Sequence, residues 1–401
     1  MRPNGMSNLD RRRFLIRAGT SAAVAGCLGL GGGYLLSRHY SSDETTSQQT
    51  QDDSAHPLFR RTARAFEQTH ELSETIYNLD GSWGRGYSGN DYDAYNDLPR
   101  IRDTRSKYSS PPGSKPLIRD TAERIVAYLT ASECLGRHIY VQRAREGLEH
   151  LLAEQTREGN FPWYFSDSGF LSSDPGANYF ESGIAGRALA IAYCKLKDER
   201  FRSASQRLAE WAQNQKIDPN VNYNALQIWH LAEHFTATGD KRAMQAAIRF
   251  ADEGILPYQQ DSGGWKGHNS WAWYHGITTL GLVLLTASLG QGSTDRVRFL
   301  QATEKALDYI RSLQAKPYGI YANPESDIIA GADTALIAAV EAFERLGLNT
   351  EDIIENLSLF LVEEVRFKGL YFYNVEHRIF YPWGSFRMDA MAKAMEYYRR
   401  S

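Results

Sequence analysis

The sequence is short of the features that most quickly assign a protein. Cysteine is scarce, three in 401 residues, too few for a disulfide-held scaffold. Positive charge is not in surplus. Lys and Arg number 45 against 48 Asp and Glu, a net charge of −3, which argues against the clustered basic surface that nucleic-acid binding needs. No metal motif is present: His268 and His275 stand seven apart, with no His-x-x-x-His and no Cys pair beside them. No glycine-rich phosphate loop is present either, so no cofactor is expected. What is plentiful is apolar and aromatic. Hydrophobic residues make up 42%, with 8 Trp, 23 Tyr and 17 Phe, enough for one large core or a groove lined with flat rings.

The first 56 residues read as an address rather than as fold. Arg11 and Arg12, followed by Phe14 and Leu15, precede a weakly apolar stretch over 18–36 rich in Gly, Ala and Ser. This resembles a twin-arginine (Tat) export signal, although Asp10 stands where Ser or Thr is usual and Ile16 where Lys is common. The stretch, 19 residues long, barely reaches the roughly 20 needed to span a bilayer. It contains Val24-Ala25-Gly26-Cys27, which resembles a lipoprotein cleavage box. Residues 1–36 are therefore expected to be a signal or anchor, tethering through 14–36 or through a lipidated Cys27. Residues 37–56, rich in Ser, Thr, Gln and Asp, bury too little apolar area to order themselves and read as a linker. The expected location is periplasmic or otherwise outside the cytoplasmic membrane.

From residue 57 onward the apolar period is 3.6. Two kinds of helix alternate. One is amphipathic and charged on one face: 57–77, 137–157, 200–215, 241–257, 295–314 and 350–366. The other is more apolar, smaller in side chain and richer in Gly and Ala: 117–135, 177–197, 221–238, 270–289, 327–346 and 385–399; the run from Gly276 is apolar nearly all round, as a helix buried on both sides is. The second set recurs every 45–60 residues or so, which is repeat architecture. Six polar-then-apolar pairs closing on themselves predict an all-α (α/α)6 toroid of six helical hairpins, one domain over 57–401, with the apolar helices inside.

A glycine and aromatic cluster follows the outer helices: Gln155-x-x-x-Gly159-x-Phe161, Gln259-x-x-x-Gly263-x-Trp265, and the longer Gln314 to Gly319-x-Tyr321. These read first as plugs of the hairpin junction. The loops from outer to inner helices are long and the reverse turns short, so function is expected at the long-loop end, the mouth of the ring. The longest loop, 80–116, reads as a lid or as an insertion. Trp83, Trp163, Trp265, Trp271 and Trp383, with Tyr179 and Tyr321, fall on the loop side and are candidates to stack on the apolar faces of sugars.

The densest cluster of polar and aromatic groups opens the fourth apolar helix: His268, Asn269, Trp271, Trp273, Tyr274 and His275. Asn222 and Tyr223 open the third, Glu181 the second, and Arg387 and Asp389 the sixth. This arrangement resembles the six-hairpin toroid superfamily of glycoside hydrolases and polysaccharide lyases. His268-Asn269-Ser-Trp271-Ala is similar to the helix start of alginate-type toroid lyases, with the order of Asn and His changed. The resemblance implies a protein acting on a polysaccharide or oligosaccharide, and the twin-arginine segment implies that it is exported.

Two chemistries fit. Uronate β-elimination, or the related epimerisation, would use His268 or His275 as base and Tyr223 or Tyr274 to pass a proton to the leaving oxygen. Asn222, Asn269 or Arg387 would hold the carboxylate. Glycoside hydrolysis needs two facing carboxyl groups, about 5–5.5 Å apart if retaining or 6.5–9.5 Å if inverting, from Glu181, Asp261, Asp327 and Asp333. The His-, Tyr- and Asn-rich rim favours elimination. A non-catalytic glycan-binding toroid is the third reading.

Overall fold

A computed structural model describes residues 55–74, 118–162, 175–316, 318–321, 323–325, 332–368, 372–374, 379–380 and 385–401. Residues 54–401 form one compact unit. Twelve α-helices are described: α1 (Pro57–Ser73), α2 (Ile118–Leu135), α3 (His138–Glu154), α4 (Pro175–Leu196), α5 (Glu199–Gln213), α6 (Val221–Thr238), α7 (Lys241–Gly254), α8 (Ala272–Ser288), α9 (Thr294–Ser312), α10 (Ala332–Leu346), α11 (Glu351–Lys368) and α12 (Ser385–Arg400). A short antiparallel pair, β1 (Phe372–Asn374) with β2 (Ile379–Phe380), lies between α11 and α12. No helix among the described residues is long and apolar enough to cross a membrane.

The even-numbered helices form the inner ring. Each packs on the next, α2 on α4, α4 on α6, α6 on α8, α8 on α10, α10 on α12, and α12 closes on α2. The fold is an (α/α)6 toroid. Small residues let the inner helices approach closely: a Cβ on Gly183 would lie 2.4 Å from the Leu226 carbonyl oxygen, and one on Gly276 2.5 Å from the Ala335 nitrogen. The inner helices are buried nearly all round, as α8 is from Ala272 through Thr286, with Trp273 and Tyr274 half-buried.

The odd-numbered helices form the outer layer, each burying one face, such as Phe201, Ala204, Leu208 and Ala212 of α5. The hairpins are phased differently from the polar-then-apolar pairs expected. An inner helix packs chiefly on the outer helix that follows it, because the short turns hold those two antiparallel. The turns carry a left-handed residue at Gly136, Lys197, Gly239, Gly292 or Gly347. Asp198 and Asp240 then cap α5 and α7 by accepting the main-chain N–H groups of Arg200 and Arg242. The first outer helix, α1, packs on α12 and α11, so the ends of the ring meet. His56 stacks on Tyr398 there, ring centroids 4.8 Å apart.

The glycine–aromatic clusters work as joints. Gln155 Nε2 donates to the Gly159 carbonyl (2.8 Å) and to the Ala204 carbonyl of the next outer helix (2.9 Å). Gln259 repeats this with Gly263 (3.1 Å) and Ala302 (2.9 Å). In the longer third copy Asn356 of α11 brackets Gly319 instead, accepting from its N–H (2.9 Å) and donating to its carbonyl (3.1 Å). The extra residue moves Gln314 out of register, and an amide from the neighbouring helix does its work.

Candidate functional site at the mouth of the ring

The inner helices run parallel, so their first turns gather at the long-loop end. A layer of rings lies there. Phe180 (α4) meets Tyr223 (α6) edge to face at 6.1 Å and Trp273 (α8) at 6.0 Å. Trp273 contacts Tyr274 at 4.6 Å and Phe386 (α12) at 5.6 Å. Phe386 in turn meets Trp229 of α6 edge to face at 6.1 Å, across the ring axis.

Two carboxylate–arginine pairs flank this layer. Glu181 of α4 is fully buried; its Oε2 accepts the Arg119 main-chain N–H at 2.7 Å and its Oε1 lies 3.4 Å from Arg119 Nη1. The Arg119 guanidinium lies over the Phe180 ring, 4.9 Å from its centroid. Asp333 of α10 faces Arg387 of α12, with Nε 3.2 Å from Oδ1 and 3.4 Å from Oδ2. Burial pushes the Asp333 carboxyl above its ordinary pKa, and the Arg387 charge and hydrogen bond only partly oppose this. In ring order α4 and α10 stand opposite each other. Two of the four candidate carboxylates are therefore brought to the same end of the ring on facing helices.

Asn222 completes the mouth. It is fully buried in the first turn of α6, its N–H donates to Asn269 Oδ1 at 3.3 Å, and neither its Oδ1 nor its Nδ2 has a hydrogen-bond partner. Tyr223 and Tyr274 are half-buried at the edge of the ring layer.

Several expected site residues lie elsewhere. His275 is fully buried against the outer layer, Nε2 2.9 Å from the Ala306 carbonyl of α9, with its ring against Trp265 and Tyr309 at 4.8 and 4.5 Å. A carbonyl only accepts, so Nε2 carries the proton and Nδ1 is left buried without a partner. Burial pulls its pKa down to about 4, against the opposing pull of the Ala306 bond. His275 is a neutral core residue, not a base at the mouth, because position 275 falls on the outward stripe of α8. Trp265 is fully buried as a joint plug, Nε1 donating to Ile255, and offers no face to a sugar. Tyr179 is buried, its hydroxyl donating to the Lys216 carbonyl and its ring edge-on to Trp211. Asp261 is exposed in the turn that Gln260 and Gly264 close. Trp271 is half-buried at the N-cap of α8, and Tyr321 is half-buried in the third joint. His268 lies in the 3-10 turn Gly267–Ser270, but its side chain is outside the described residues, as are Asp327, Trp83, Trp163, Trp383 and the 80–116 loop.

No family model matches the chain, and no curated protein matches it in sequence. Solved structures do match. A sugar epimerase from a ruminal bacterium shares 11% identity at a TM-score of 0.60, over 84% of this chain and 98% of that one. A possible member of glycoside hydrolase family 105 from Salmonella enterica shares 12% at 0.60, over 90% and 100%. An inactive variant of a family 76 α-1,6-mannanase from Salegentibacter, in complex with α-1,6-mannotriose, shares 13% at 0.58, over 83% and 99%. The likeness is one of fold.

Sequence reasoning passed over Phe180, Trp229 and Phe386, plain aromatics within apolar runs, and Arg119, the second residue of an inner helix. Only the ring closure shows that they converge. Their common signal is an aromatic or charged residue in the first turns of an otherwise small, apolar helix.

Proposed function

We propose that the mouth of the ring binds a saccharide and that the protein is a carbohydrate-active enzyme. The observation that carries this is the layer of Phe180, Tyr223, Trp273 and Phe386 set between two buried carboxylate–arginine pairs. Flat rings suit the apolar faces of pyranoses, while carboxylates and guanidinium groups bond the hydroxyls around their rims. The saccharide chemistry named for the epimerase, the hydrolase and the mannotriose-bound mannanase that share the fold supports the same reading.

For the reaction, hydrolysis by a carboxyl pair fits best. Asp333, its pKa raised by burial, is suited to hold a proton and give it to the leaving oxygen, and Glu181 on the facing helix is the partner carboxyl. The seating of His275 in the core removes one of the two bases of the elimination scheme. That scheme keeps one specific support: the unpartnered buried amide of Asn222 beside Tyr223 suits a uronate carboxylate next to a proton donor.

Incubation with a panel of anionic and neutral polysaccharides tests both readings. New reducing ends without ultraviolet-absorbing products are expected. Unsaturated, absorbing products would point to elimination instead, and binding without turnover to a glycan-binding module. The proposed place of action is outside the cytoplasmic membrane, on the strength of Arg11 and Arg12. Replacing both by Lys should strand the protein in the cytoplasm, and unchanged export would show another route.

A further inference from the structure

Below the ring layer the axis holds polar groups that the chemistry above does not use. Arg187 of α4 and Asp389 of α12 have side chains only 1% and 0% exposed, and Arg187 Nη1 donates to Asp389 Oδ2 at 2.8 Å. The guanidinium lies over Trp229, 5.5 Å from the ring centroid. Its Nε and Nη2, and Oδ1 of Asp389, have no hydrogen-bond partner. Two donors and one acceptor thus stand unanswered inside the ring, where leaving them so costs free energy. Asp389 lies four residues into α12, about 6 Å below the start of the helix at 1.5 Å per residue.

Beneath this pair the axis is closed. Arg345 of α10 bridges Glu233 of α6 at 2.7 Å, and Lys393 of α12 bridges Glu341 of α10 at 2.8 Å. Burial alone would raise the Glu341 pKa, but the charges of Arg345, Lys393 and Arg187 outweigh it and hold the carboxyl well below its ordinary range. The interior therefore ends in ion pairs and offers a polymer no way through.

We infer that Arg187 and Asp389 hold the terminal sugar of the substrate, so that the protein acts from a chain end. The inference rests on the saccharide reading of the mouth. The two free guanidinium nitrogens form a fork that fits two neighbouring hydroxyl oxygens, and Asp389 Oδ1 accepts from a third hydroxyl. A sugar held by this pair, above the ion pairs of the lower axis, has its onward linkage toward the mouth only. The substrate class is a glycan whose terminal pyranose has free vicinal hydroxyls.

A substrate identified by the panel, prepared as oligosaccharides labelled at one end, tests this. The wild-type protein should release one short product from the first time point and shorten the ladder stepwise. Asp389→Asn should raise KM by about 10- to 100-fold with kcat within about threefold, the effect of weakening a charged hydrogen bond to substrate. The double variant Arg187→Met with Asp389→Leu, which leaves no buried charge unpaired, should fold and show the same loss. Random internal cleavage at early times, or a folded Asp389→Asn protein with unchanged KM, would overturn the inference while leaving the saccharide reading intact. Failure to bind any saccharide would overturn both. If the substituted proteins do not fold, the wild-type product ladder decides alone.

Discussion

His275 ties the inner ring to the outer layer: its Nε2–H reaches the Ala306 carbonyl, 2.9 Å away, so that α8 and α9 are joined through one imidazole. The ring also fills the space between Trp265 and Tyr309. His275→Ala should therefore lower stability by about 2–4 kcal/mol, from lost packing and a lost buried hydrogen bond. Saccharide binding by the folded variant should be unchanged. Denaturant midpoints and binding isotherms measure the two effects, and a variant of wild-type stability without turnover would return His275 to the chemistry.

Acid should destabilise the protein well above the ordinary carboxylate range. Burial holds His275 and His234 down to about 4, and His230, beside His234, well below its ordinary value. Ser205 bridges the last two, 3.2 Å from His230 and 2.8 Å from His234. Between about pH 6.5 and 4 the unfolded chain binds protons on these groups that the folded chain does not. Stability is therefore fully present above pH 6.5 and lost as pH falls toward 4, by about 1.4 kcal/mol per pH unit for each histidine. Asp333, whose folded pKa is raised, works the other way as a single group. Urea midpoints at pH 7.5 and 5 check the sign, and equal midpoints would mean that these histidines are charged in the folded state.

The toroid was legible because burial on two sides leaves a plain mark: an apolar helix such as 270–289 against an amphipathic one such as 241–257. Which residues share the mouth was less so. Periodicity gives the faces of each helix but not the direction each face looks, so His275 and Tyr274, adjacent in sequence, could not be told apart. In the structure one faces α9 and the other lies against Trp273. Glu181 and Asp333 were visible as carboxylates, but their arginine partners come from α2 and α12, distant in sequence. The glycine–aromatic clusters were read as plugs of the hairpin junction, as Trp265 is, while the donation of Gln155 and Gln259 to the next outer helix depends on a neighbour that no local pattern specifies.

Two glycines with left-handed backbones should respond differently to alanine. Gly239 ends α6 at φ 76° with open space around it, so Gly239→Ala should cost about 1 kcal/mol, the backbone strain alone. Gly263 has φ 86°, and a Cβ there would fall 1.9 Å from the Lys305 carbonyl oxygen of α9. Gly263→Ala must move an outer helix and should cost well over twice as much. Similar urea midpoints for the two variants would show that the joint gives way freely.

The ion pairs that close the axis should be costly to break singly and cheap to replace together. Lys393→Met leaves the fully buried Glu341 with Arg345 as its remaining close partner and should destabilise by about 3–5 kcal/mol. Adding Glu341→Leu removes the carboxylate that Arg345 alone then faces and should recover most of that loss. Thermal or urea unfolding of the single and double variants makes the comparison. A double variant as unstable as the single would mean that the pair itself, rather than the half-compensated carboxylate, holds the ring shut.

The competing chemistries make opposite demands on the mouth. If Asp333 gives the proton and Glu181 is its partner, Asp333→Asn and Glu181→Gln should each lower kcat by about 10²-fold or more. Tyr223→Phe should then lose far less, since that change keeps the ring packed against Phe180. Elimination of a uronate reverses the pattern: Tyr223→Phe and Asn222→Ala become the crippling changes, and both carboxylate variants stay active. Glu181 also accepts the Arg119 main-chain N–H, so Glu181→Gln, which keeps an acceptor oxygen, is the informative substitution and Glu181→Ala is not. Asp333 supplies an independent check. Its raised pKa should appear as an acidic group controlling kcat/KM on the alkaline side, a limb that Asp333→Asn abolishes along with the activity above background. Full activity in all four variants would place the chemistry on groups other than these.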